Sequence, residues 1–137
     1  MMQKIINIFL FLLLTTYTLD SKESSAEDLN IRFNIISVSI NSKELNAPSE
    51  AVLFYNTKTN KIYGNTGCNN YFGEFKQNEN TITIFNVGST RKLCDDNANE
   101  FEYAFLSVFS DEFEITNEGS DYFFKSPKAL IKLKQNS

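Results

Sequence analysis

G-N-T-G-C-N-N-Y-F-G-E-F at residues 64–75, followed by S-T-R-K-L-C at residues 89–94, is the stretch whose reading decides this chain. Tyr71, Gly73 and Phe75 alternate with Phe72 and Glu74, the period of a strand with one buried face. Gly64, Gly67 and Gly73 crowd into the same block. Strands rather than a helix follow them and no Lys closes the loop, so they signal positive φ or close backbone approach, not a phosphate cradle. Cys68 and Cys94, one in each half, are the only cysteines.

Outward from this block the pattern stays that of short strands. Residues 31–40 read as a first strand, with Ile31, Phe33 and Ile35 on one face and Ile36, Val38 and Ile40 on the other. A slip of phase between Ile35 and Ile36 is what a β-bulge or a strongly coiled strand produces. Residues 41–50, with Pro48, form a polar connection, and residues 51–65 a hairpin turning at 56–60. After a turn at 77–80, residues 81–87 are a strand with Ile82 and Ile84 on one face and Phe85 and Val87 opposite, a second slip. The one helix lies at 97–110. Ala98, Phe101, Phe105, Val108 and Phe109 form its apolar stripe, and Asn99, Glu100, Glu102 and Ser107 point away. Asp95, Asp96 or Asn97 caps its first N–H groups. Short strands at 113–116, 122–125 and 130–134 complete the chain. Strands that change face midway suit a curled sheet. The expected fold is mainly β (α+β): a small antiparallel, partly open β-barrel packed against one α-helix, spanning residues 30–135.

The chain has 137 residues, enough for one core, and 42% of them are hydrophobic. Thirteen Phe and six Tyr with no Trp predict a Phe-packed interior. A net charge of −4 argues against nucleic acid and against anionic head groups as partners. Histidine is absent, which removes His-based triads and every His-ligated metal site. Carboxylates, Lys, Tyr and two thiols are a poor catalytic kit, so no enzyme and no catalytic residue is expected. Asp95, Asp96, Asn97, Asn99 and Glu100 cluster like calcium ligands, but the mid-loop Gly and the bidentate Glu of an EF-hand are missing. Helix capping explains them, and neither metal nor other cofactor is expected.

Residues 1–26 read as a signal peptide and spacer: a single Lys4, the apolar run 5–14, then a polar tract. The run falls short of the roughly 20 apolar residues of a membrane span. Ser24 and Ala26 fit the small-residue cleavage rule, with cleavage after Thr18 as the rival and an uncleaved anchor as the other reading. No cysteine follows the apolar run, so a lipid anchor is not expected. The mature protein is then periplasmic or secreted, without a stable membrane span. In an oxidising compartment Cys68 and Cys94 read as a disulfide, worth about 3.5 kcal/mol by chain entropy. Reduced thiols and a redox-active pair are the alternatives, the latter lacking the C-x-x-C spacing. Arg91 either forks onto backbone carbonyls or a carboxylate such as Glu74, or contacts an anionic partner group.

The two motifs, in this order and each with its Cys, resemble the META domain family, which includes the HslJ-like heat-shock proteins. The resemblance runs from Phe33 to about Lys134. Its marked positions fall on Gly67, Cys68, Asn69, Phe72, Gly73, Thr90, Arg91 and Cys94. Members usually open the first strand with Trp, where this chain has Phe33, and often carry Met where Lys92 stands. The resemblance implies a small antiparallel barrel on one helix, similar to secretion pilot lipoproteins. It also implies a role in envelope maintenance or in heat-shock and antibiotic resistance, with no established catalysis. The expectation is a monomeric binding domain whose partner is an unknown protein or apolar ligand of the cell envelope. The first alternative is a pilot-like module holding an apolar peptide or lipid tail in a Phe-lined crevice, which a filled interior would sink. The second is a redox-active thiol protein.

Overall fold

The structure, a computed structural model, describes residues 30–136. The expected signal peptide and spacer at 1–26 lie outside the described residues. Nine strands and one helix follow in order: β1 (Asn30–Ile40), β2 (Lys43–Asn46), β3 (Val52–Asn56), β4 (Lys61–Asn65), β5 (Asn70–Asn78), β6 (Thr81–Ser89), α1 (Asp96–Phe109), β7 (Glu112–Glu118), β8 (Asp121–Lys125) and β9 (Ala129–Gln135).

β1 carries the slip of phase as a true bulge. Its pairing with β9 jumps from Ile35↔Leu133 to Ser37↔Lys132, leaving Ile36 unpaired. Ile36 turns to solvent, while Val38 comes back to the same core as Phe33 and Ile35. The two faces expected for this strand are therefore one face, interrupted. The bulge adds local twist, and that curl lets β1 serve as the seam. One of its edges pairs with β3 over the first half and β2 over the second; the other edge pairs with β9.

All pairings are antiparallel, in the order β2-β1-β3-β4-β5-β6-β7-β8-β9, and the β1–β9 pairing closes eight strands into a barrel. The barrel is closed, not partly open as expected, because β1 is long enough to be shared. A second correction concerns residues 41–50. They contain β2, folded back on β1 through a two-residue turn in which Asn41 and Ser42 have φ of 50° and 72°. That is the geometry of the tightest hairpins, and Asn-Ser announces it more faintly than Asn-Gly. Glu44 of β2 is held to the barrel by the Ser37 hydroxyl at 2.8 Å and by Lys132 at 3.3 Å. The Ser37 hydrogen bond, then Lys132, keeps its carboxyl below the usual range.

The slip in β6 is real as well. Phe72 pairs with Gly88 but Glu74 with Phe85, so Asn86, with φ of 56°, and Val87 stand opposite Gly73. This bulge separates two residues expected on one face: Phe85 lies outside with the Lys76 ammonium 5.7 Å from its ring centre, whereas Val87 packs on the core.

α1 fills the barrel. Ala98, Phe101, Ala104, Phe105, Val108 and Phe109 are its buried stripe, the expected one with Ala104 added. Phe105 stacks on Phe101 and Phe109 with ring centres 5.7 and 4.8 Å apart. Tyr71 of β5 meets Phe105 and Phe109 edge-on, both at 5.2 Å. Each such ring, fully buried, contributes about 1.5–3 kcal/mol. The Tyr71 hydroxyl is satisfied by the Val52 carbonyl at 2.9 Å, and burial pushes its pKa well above the ordinary value. A side chain at Gly64 would stand 2.1 Å from that carbonyl oxygen, which is why glycine occupies the position. Among the described residues no helix is long and apolar enough to cross a membrane.

Candidate functional site

The loop between β4 and β5 is built to bury polar groups. Gly67 has φ of 97°, and a Cβ on it would lie 2.5 Å from ring carbons of Pro48. The Asn65 side chain accepts from the Gly67 N–H at 2.7 Å. This tight turn sends Thr66 and Asn69 inward, where they are 0% and 2% exposed. Two buried polar side chains in a small domain must find partners or cost about 1–3 kcal/mol each.

They find them on α1 and on the 89–94 segment. Asn69 Nδ2 donates to Glu102 Oε1 and to the Lys92 carbonyl, both at 2.9 Å. Its Oδ1 accepts from the Thr90 hydroxyl at 2.9 Å and the Lys92 N–H at 2.6 Å. The Thr66 hydroxyl donates to Glu102 Oε2 at 2.6 Å, and the Asn69 N–H donates to the same oxygen at 3.0 Å. Asn99 receives the Cys94 N–H at 3.1 Å and donates to the Cys94 carbonyl at 3.0 Å. Glu102 and Asn99 were expected to point away from the protein. Both instead turn into this clamp, because Asp95, Asn99 and Glu102 form a row beside the apolar stripe, at spacings that share one side of a helix. That row is the signal from which these two partners were legible. Asp95 supplies the N-cap, accepting from the Ala98 N–H at 2.8 Å.

Cys68 and Cys94 form a disulfide across the clamp, with Cα atoms 5.9 Å apart. Cys68 is 4% exposed. The bridge, the Asn69 hub and the Asn99 fork hold the same segment from three sides. Gly67, Cys68, Asn69, Thr90 and Cys94 are thus brought together as a brace between β5, the 89–94 segment and α1. The single Oδ1 of the Asn69 amide accepts twice, both Nδ2 protons are donated, and both Glu102 oxygens accept hydrogen bonds. This is a fastening between the loop, the 89–94 segment and α1.

The remaining motif residues lie elsewhere. Gly73 faces inward, where a Cβ would stand 3.2 Å from Val87. Phe72 is on the outer face, 52% exposed, with its ring over Gly88. It pairs across strands with Tyr63, which stacks on Phe54 at 5.3 Å, so the three rings form an external cross-strand ladder. Arg91 is exposed and makes no hydrogen bond or ion pair among the described residues. The carboxylate expected to hold it, Glu74, pairs with Lys61 at 3.7 Å.

Two clefts flank the brace. One, of about 510 Å³, lies between the 45–50 segment and the start of α1, with Pro48 and Phe101 in its wall and Glu50, Asp95 and Glu100 around it. The other, of about 500 Å³, lies between the 89–93 segment and the middle of α1, bordered by Arg91, Lys92, Leu93 and Tyr103. Phe101 is the one phenylalanine lining either cleft; Phe105, Phe109, Phe113 and Phe124 are fully buried in the packed interior. Among the described residues no group of three or more acidic or thiol side chains is arranged to hold a metal ion.

The META domain family matches residues 27–134. The fold is similar to that of an NMR structure of a protein from Burkholderia xenovorans, with a TM-score of 0.63 and 14% identity over 89% of this chain and 99% of that one. A second NMR structure matches with a TM-score of 0.59 and 18% identity over 82% of this chain and 95% of that one. At these identities the likeness is one of fold. No curated protein sequence matches.

Proposed function

This chain belongs to the META domain family, and we propose that it is an exported domain that acts in the cell envelope by binding a partner, without catalysis. The observation that carries the reading is the spending of the motif. Thr66, Asn69, Thr90 and Glu102 hydrogen-bond one another, and the two thiols are joined. A catalytic group needs a free lone pair or proton poised at a substrate. In this brace the Asn69 amide and the two thiols are committed to holding the fold. The disulfide supports an oxidising compartment, periplasmic or extracellular. The role in envelope maintenance and in heat or antibiotic resistance comes from the family alone.

The pilot-like reading, an apolar tail held in a Phe-lined crevice, is weakened by the ring cluster that fills the barrel. The redox reading is weakened by the burial of Cys68, since thiol exchange needs an attacking group to reach the sulfur.

Intact mass of the protein taken from envelope and culture-medium fractions tests the export half. The expected species begins after Thr18 or Ala26 and lacks two hydrogens relative to its reduced form. A full-length chain with two alkylatable thiols would overturn it. Survival of a deletion strain under heat and envelope-acting antibiotics tests the role; survival equal to the parent's would remove it.

A further inference from the structure

The 89–94 segment is fastened on its inner side and bare on its outer side. Leu93 is 87% exposed and Tyr103, facing it from α1, is 80% exposed, the two most exposed large apolar side chains among the described residues. Scattered exposed Leu or Tyr residues are ordinary. These two border one cleft of about 500 Å³, and nothing in the core requires them to be apolar. Arg91 and Lys92 stand at the same cleft with no ion pair among the described residues, on a chain whose net charge is −4. The backbone there is open as well. β7 pairs with β6 only at Thr81–Thr83 and the Asp111 carbonyl takes the Ile84 N–H; beyond it, among the described residues, no strand pairs with that side of β6, which runs into the cleft at Ser89. An open strand edge, apolar side chains and unpaired cations together are the requirements for capturing an extended chain.

We propose that this cleft docks an extended acidic–aliphatic segment of a partner polypeptide, laid along the open end of β6. An aliphatic side chain sits between Leu93 and Tyr103, and a carboxylate meets Arg91 and Lys92. The inference rests on the binding reading above and gives that reading a site and a partner class. Charge complementarity selects an acidic segment: Arg91 and Lys92 are exposed and unpaired among the described residues, while Glu102, the one carboxylate lining the cleft, already accepts from Thr66 and Asn69. A bilayer fits less well, because the surface is concave.

The test uses the exported, oxidised protein, isotopically labelled, and three probes: a short peptide of alternating Glu and Leu, its counterpart with Lys for Glu, and phosphatidylglycerol vesicles. The expected result is amide shifts centred on Ser89, Arg91, Leu93 and Tyr103 with the acidic peptide alone. Affinity should fall about tenfold in Arg91→Ala/Lys92→Ala and in Leu93→Ser, and should weaken with salt. Equal binding of the Lys peptide, shifts centred on Pro48 or Phe72, binding to vesicles only, or no binding would each overturn the proposal. In the deletion strain, rescue by Leu93→Ser as complete as by the parent would also overturn it while the envelope role stood. A deletion strain without a phenotype would remove that role, leaving the docking site to be judged by the titration.

Discussion

The inner and outer sides of the 89–94 segment are opposite in character. Inward, Thr90 and the Lys92 backbone are bound to one amide, Asn69, and Cys94 is bound to Cys68. Outward, the Arg91 and Leu93 side chains touch almost nothing. At Lys92 the inward contacts are made by the backbone N–H and carbonyl, which leaves its side chain exposed beside those of Arg91 and Leu93. The lesson concerns what a motif is for. The residues that make this chain recognisable are mostly its fastenings, and the groups free to meet a partner lie between them.

Removing the covalent fastening should be the largest blow to that contrast. Cys68→Ser with Cys94→Ser is expected to lose about 3.5 kcal/mol by chain entropy, read by denaturant unfolding under oxidising conditions. A loss below about 1 kcal/mol would show that the hydrogen bonds alone hold the segment in place. Next comes the hub. Asn69→Ala strands the Lys92 N–H and carbonyl and the Glu102 carboxylate, and should cost about 2–3 kcal/mol. In a double-mutant cycle with Glu102→Ala the two changes should fail to add by about 1–2 kcal/mol. Additivity would mean that the clamp does not act as a unit. On the outer side the expected stability effect nearly vanishes. Leu93→Ser and Tyr103→Ser should each shift stability by no more than about 0.5 kcal/mol. A cost of 2 kcal/mol or more in either would make these side chains part of the core and blur the contrast between the two sides.

Much of the architecture was legible because local pattern and tertiary need coincide. The alternation of Tyr71, Gly73 and Phe75 and the apolar stripe from Ala98 to Phe109 reflect burial that any compact solution must satisfy. The breaks of phase at Ile36 and near Phe85 were visible as well, since a bulge shifts the pattern by one residue. Which side each neighbour then takes was not visible. Val38 and Val87 went to the faces opposite those expected because a bulge can return the residues beyond it to the core, and the partner strand decides which. β2 was hidden for a related reason: Lys43–Asn46 is polar, and only its register against β1 makes it a strand.

The sequence by itself determined the family, the helix and eight of the nine strands, the capped helix start and the pairing of two cysteines. All of these depend on residue type and short spacing. Tertiary structure alone decided that the barrel closes, that Glu102 and Asn99 face the loop instead of solvent, and that Arg91 makes no ion pair among the described residues. Those outcomes depend on which distant groups arrive together. A helix position beside the apolar stripe points to solvent or to a neighbouring loop with equal ease. Here Thr66 and Asn69, driven inward by a glycine turn against Pro48, needed a carboxylate, and α1 was packed where Glu102 could supply it.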